Sequence, residues 1–180
     1  MANSGDLQRF LSSVGFSEVK LDTVTRKLRG DGALVTRGRG PYAHHVSAEE
    51  AAKVIIAYLG TSKAAFAASR LNALADIRSS HSGQHLLEAV TDRLTDESLC
   101  HKLSMLRVSR RSDRATFYEV DGSIELFCND ASASPDRVGT EGFMIGDVFR
   151  GISLLLSDEG QVRQNGSTTM TRADSQGDVS

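Results

Sequence analysis

Between Leu28 and Ala52 the chain reads LRGDGALVTRGRGPYAHHVSAEEAA, and no continuous helix can cross it. Gly30, Gly32, Gly38, Gly40 and Pro41 all fall inside this stretch. In a helix interior each glycine costs about 1 kcal/mol and a proline about 3 kcal/mol relative to alanine. Both flanks nevertheless read as helices. Upstream, KLDTVTRKLR spaces Leu21, Val24 and Leu28 by three and four residues, which puts them on one face. Thr23, Arg26 and Lys27 fall on the opposite face, toward solvent. Downstream, Ser47 followed by Glu50 is a capping box, in which hydroxyl and carboxylate each satisfy a free amide of the first turn. The helix it opens, AEEAAKVIIAYLG, stops at Gly60. The chain must therefore set a glycine- and arginine-rich ribbon between two helices.

Periodicity predicts the remaining elements. DLQRFLSSV (6–14) reads as a short amphipathic helix, with FSEV as the turn that follows. Two further helices are expected at 62–78 and in GQHLLEAVTDRL, separated by the loop SSHSG. Near residue 100 the pattern changes to short β-branched and aromatic runs: KLSMLRVSRR, RATFYEV and SIELFCN. Asp121-Gly122 between the last two is a strong hairpin signal, so a three-stranded antiparallel meander is expected. MIGDVFRGISLLL (144–156) returns to helical spacing, and from Asp158 the sequence is polar and aperiodic, as a disordered tail would be. The expected fold class is α+β: a winged helix-turn-helix over 1–60, a helical and β-meander region over 61–157, and a tail over 158–180.

Composition narrows the setting. Hydrophobic residues make up 39% and charged residues 24% of 180, as in a soluble globular protein. The N-terminus MANSGDLQRF lacks the basic start and apolar run of a signal peptide, and no apolar run is long enough for a membrane span. With only two cysteines, Cys100 and Cys128, a reducing cytoplasm is expected. The net charge is -2, but residues 1–46 hold seven Lys or Arg against four Asp or Glu, a local +3 that leaves -5 for the rest.

Helix, turn, helix, glycine-tipped ribbon and capped helix is the order of a winged helix-turn-helix. The second helix must present polar and basic side chains to DNA while its apolar face holds the body. The wing tip needs glycine for close approach and arginine for charge, and TRGRGPY holds both. The layout resembles the DNA-binding domain of MerR-type regulators over about residues 6–60. The resemblance rests on Leu28-Arg29, Gly32-Ala33-Leu34, Arg37 to Arg39, Tyr42 and Ser47-Ala48-Glu49-Glu50. Gly30-Asp31 stands where that family has a Tyr-Tyr pair after Leu-Arg, and no long dimerising coiled coil follows, although 62–78 could serve as a shorter one. The stretch LRGDGALVTRGRGPYAHH also resembles small proteins of bacteriophages and prophages. The implied function is a sequence-specific DNA-binding regulator, working as a homodimer on double-stranded DNA. The implied contacts are Lys20, Thr23, Arg26, Lys27, Arg29, Arg37, Arg39 and His44. The alternative is a protein-binding adaptor or inhibitor, such as a phage protein acting against a host defence protein, with no DNA sequence preference.

Simpler explanations compete with each feature. A basic ribbon is often just a solvated loop, and RGRG lacks the spacing of a phosphate-cradling loop. His81 and His85 stand four apart, but a glycine lies between them and no second paired motif follows, so no metal is expected. Glu119, Asp121 and Glu125 surround a hairpin, where solvent-facing carboxylates are expected; Cys128, with Ile124 and Leu126, reads as core. No nucleophile-and-base arrangement is visible, so neither catalysis nor a cofactor is expected.

Overall fold

Residues 2–35, 45–129 and 141–165 are described by the computed structural model, the last eight (158–165) as backbone alone. Asn3 opens α1 (Ser4–Ser13), accepting the amides of Gly5 and Asp6 while Asp6 accepts the amide of Asn3. A tight turn at Gly15, with φ of 98°, leads to α2 (Glu18–Gly30). The turn expected at FSEV is shorter than that, because Ser17 caps the helix and Glu18 already belongs to it. Leu21, Val24, Thr25 and Leu28 form the buried stripe of α2. The capping box at Ser47 and Glu50 is present and opens α3 (Ala48–Gly60). Val54, Ile55, Ile56, Ala57 and Leu59 are all buried, because α3 is covered on several sides at once. It packs against α2, against α4 (Ala67–Ala75) and α5 (Leu86–Thr95), and against the sheet.

The sheet is antiparallel and has four strands: β1 (Leu103–Ser109), β2 (Arg114–Glu119), β3 (Ile124–Cys128) and β4 (Glu141–Ile145), in the order β3-β2-β1-β4. The short α6 (Glu97–Lys102) leads into β1, and α7 (Gly146–Asn165) follows β4. The described residues are thus an α+β fold of seven α-helices and one sheet. One continuous core runs from Leu7 of α1 to Ile152 of α7, and its three largest fully buried side chains are Phe117, Phe127 and Phe149.

Several expectations are corrected. The meander gains a fourth strand, and the helix expected from Met144 starts at Gly146 because Met144 and Ile145 pair with β1. Gly142 makes that pairing possible. A Cβ there would stand 2.3 Å from the carbonyl oxygen of Leu59, so only glycine lets β4 lie against the end of α3. The helix expected over 62–78 is broken into a 3-10 turn (Ala64–Phe66) and α4, since Thr61 and Lys63 adopt extended backbone. The helix expected from Gly83 starts at Leu86, because Arg78 and His85 pair across the loop. Helix α7 continues to Asn165, past the expected start of the tail at 158.

The faces of β3 are the reverse of the expectation. Ile124 is 56% exposed, while Glu125 and Phe127 turn toward the helices. Cys128 is buried, but it belongs to the same outward row as Ile124 and Leu126.

Candidate nucleic-acid interface

The turn between α1 and α2 sets the second helix at the surface, held from below by Leu21, Val24 and Leu28. Its outer side carries Glu18, Asp22, Arg26 and Lys27. Arg26 is ion-paired with Asp22 one turn earlier, and that hydrogen bond holds the Asp22 carboxyl below its usual range. Lys27 is exposed. The Thr23 hydroxyl donates to the Val19 carbonyl at 2.8 Å, leaving its oxygen lone pairs to act as acceptors.

Two expected DNA contacts point elsewhere. The Lys20 ammonium donates to the carbonyls of Tyr58 and Thr61 at 2.8 and 2.7 Å and lies 4.1 Å from the centre of the Tyr58 ring. Burial, and secondarily the charge of Arg110, lowers its pKa to about 8. Arg29 donates to the Ser4 hydroxyl at 2.6 Å, joining α2 to the start of α1. They lie on opposite flanks of α2, Lys20 against the end of α3 and Arg29 against the start of α1. Helical period alone does not separate these flanks from the outer face. Arg37, Arg39 and His44 lie outside the described residues.

The base of the ribbon is built by one carboxylate. Glu50, only 9% exposed, accepts the amide of Val35 on one oxygen at 3.0 Å and that of Ser47 on the other at 3.1 Å. The chain therefore leaves at Val35 and returns by Ser47 to the two oxygens of a single side chain. On the outgoing side, the amides of Ala33 and Leu34 bond to the Leu28 carbonyl, and Leu34 is buried. Ala33 to Val35, where the ribbon begins, form no strand. On the return side, His45 bridges to Asn3 and the Val46 amide donates to the Ala2 carbonyl. The base of the ribbon thus sits between the end of α2 and the start of α1.

Two further features are not legible in the sequence. Arg93 of α5 is buried above the Phe117 ring, 3.9 Å from its centre, and donates to Glu119 at 2.7 Å and to Glu125 at 3.2 Å. Glu125 also accepts the hydroxyls of Ser79 and Ser82. The two glutamates expected in solvent thus face inward, because an arginine from a distant helix meets them. The second feature is the outer face of the sheet. One row across it is Ile145, Met105, Tyr118 and Ile124, and the next is Phe143, Arg107, Thr116 and Leu126. Phe143 is 63% exposed. Arg107 is paired with Glu141 and donates to the Tyr118 hydroxyl at 3.0 Å. Alternation in these strands is legible; which side meets the helices is not.

Among the described residues, no helix is long and apolar enough to cross a membrane, and no group of three or more His, Cys, Asp or Glu is placed to hold a metal ion. No protein-family description, curated protein or solved structure matches this chain.

Proposed function

We propose that the protein is a sequence-specific DNA-binding regulator that docks the outer face of α2 on duplex DNA, acting as a homodimer. The observation that carries this reading is the Glu50 clamp. It holds both ends of the arginine-bearing ribbon together next to the C-terminal end of α2, which supports reading the ribbon as a wing that follows a recognition helix. Arg26 and Lys27 are the groups positioned to reach base edges, and Arg37 and Arg39 are assigned to phosphates from the sequence.

Selection of fragments from random duplex DNA at physiological salt tests the reading, and enrichment of one motif is the expected result. Arg26→Ala then costs about 1–3 kcal/mol of binding and relaxes preference at the contacted base. Arg37→Ala or Arg39→Ala weakens all sequences alike and flattens the salt slope by about one unit per charge. Arg26→Ala does not move the melting temperature by much, because an exposed charge contributes little to stability.

The charge balance of α2 favours a second reading. Glu18 and Asp22 stand among Arg26 and Lys27, so the described part of the face carries no excess of positive charge. A protein-binding adaptor, with a host protein as partner, fits such a face. Binding to DNA only at low salt, with no motif enriched, decides for the adaptor.

A further inference from the structure

We infer that the C-terminal end of α3, with the β1–β2 turn bonded to it, is a second phosphate-binding surface for the duplex on which α2 docks. The inference rests on the DNA-binding reading and extends it beyond α2.

Four carbonyls at this end of α3 accept bonds from three cations. Lys20 takes those of Tyr58 and Thr61, Arg110 that of Leu59 and Arg70 that of Gly60. A helix C-terminus offsets only about half a unit of charge. Among the described residues, Arg70 alone of the three has a carboxylate, Asp113 of the β1–β2 turn. Burial first, and the charge of Arg110 second, lower the Lys20 pKa, so these two cations stand close enough to repel. A phosphate beside them relieves that repulsion.

Two more cations lie next to these. Lys63 comes two residues after Thr61 and Arg111 directly after Arg110, and both are exposed. Their side chains form no hydrogen bond or ion pair among the described residues. Capping α3 accounts for Lys20, Arg70 and Arg110, but not for Lys63 and Arg111. Five cations against Asp113 leave a formal charge of +4 here. The surroundings do not reverse that sign. Glu18 stands about 200° round α2 from Lys20. On the neighbouring sheet face, Arg107, Arg114 and Glu141 leave one positive formal charge.

The position relative to α2 selects the partner. A helix in the major groove, about 12 Å wide, has a sugar-phosphate strand on either side. Arg29 marks one flank of α2, where the start of α1 and the base of the ribbon lie. Lys20 marks the opposite flank and joins it to the end of α3. The ribbon thus takes the strand on one side, and Lys63, Arg110 and Arg111 take the strand on the other.

The test is the double variant Lys63→Ala, Arg111→Ala in the full chain, with Lys102→Ala as a control just before the far end of β1. Affinity for random-sequence duplex is measured against salt, and fragment selection is run on each protein. The double variant should flatten the slope of log affinity against log salt by about two. Raising salt from about 50 to about 200 mM then weakens the wild type about tenfold more than the variant. The enriched motif and the melting temperature should stay as in the wild type, and Lys102→Ala should keep the wild-type slope. If the wild type enriches a motif but the double variant keeps its slope, the surface is overturned and the docking of α2 stands. If no motif is enriched but the double variant weakens low-salt binding, the sequence-specific reading falls and the surface remains a phosphate site. Absence of duplex binding at any salt overturns both. Binding to phosphatidylserine vesicles that the double variant abolishes, with duplex binding untouched, overturns nucleic acid as the partner.

Discussion

The two ends of α3 are closed by opposite means. At the N-terminus, Ser47 and Glu50 are three residues apart and bond to each other's backbone amides. At the C-terminus, side chains from three separate elements meet the last carbonyls. Lys20 of α2 takes those of Tyr58 and Thr61, Arg110 after β1 takes that of Leu59, and Arg70 of α4 takes that of Gly60. Free carbonyls and the negative end of the helix dipole both favour cations there. One end is thus a local device that also ties down the ribbon. The other gathers elements up to about fifty residues apart and holds the sheet against the helices.

The strongest test of the contrast is Glu50→Ala. It leaves two amides without their carboxylate and costs about 2–4 kcal/mol in chemical denaturation. A loss below about 1 kcal/mol would mean that the clamp is not what closes this end. Gly142→Ala should cost about 2–3 kcal/mol, because the added carbon collides with the backbone of Leu59 and the strand must move away from α3. An unchanged melting temperature would show that β4 is held elsewhere.

Arg70→Ala should cost about 1–2 kcal/mol. It loses its bonds to the carbonyls of Gly60, Ser109 and Ser112 and its ion pair with Asp113, but solvent can reach part of what is exposed. Arg70→Lys should recover only part of the loss, since one ammonium cannot span all of these acceptors. If Arg70→Ala destabilises more than Glu50→Ala, the distant contacts matter more than the local box.

The last expected effect is a slope. With a folded-state pKa of about 8 against the ordinary 10.5, Lys20 loses its proton earlier in the native protein than in the unfolded chain. Below about pH 8 both states hold the proton, and Lys20 adds no pH dependence. Between about 8 and 10.5 only the unfolded chain keeps it, so rising pH favours the fold. Lys20→Met should abolish that component. Melting temperatures of both proteins at pH 7 and pH 10 check it, and parallel changes in the two would refute the assignment.

Legibility follows the same division. Ser47 with Glu50, and Asp121-Gly122 at the β2–β3 turn, are encoded within a few residues, and both stand where the sequence puts them. Strand β4 is only five residues long and runs straight into helical spacing, which masks its alternation. Lys20 and Arg29 escape a sequence reading because a helical wheel shows which residues lie opposite the core but not which flank a neighbour covers. The inward turn of Glu119 and Glu125 depends on Arg93, about thirty residues away, and no local pattern contains it.

By itself the sequence determined the capped start and the glycine end of α3, where the chain must turn, and that apolar positions change period near residue 100, because caps, glycines and side-chain periodicity act over one to four residues. Only the tertiary structure decided which face of the sheet is covered, which cations are spent on helix ends and which remain in solvent. Those outcomes depend on which distant backbone and side-chain groups are brought within about 3 Å, and packing around α3 brings them there.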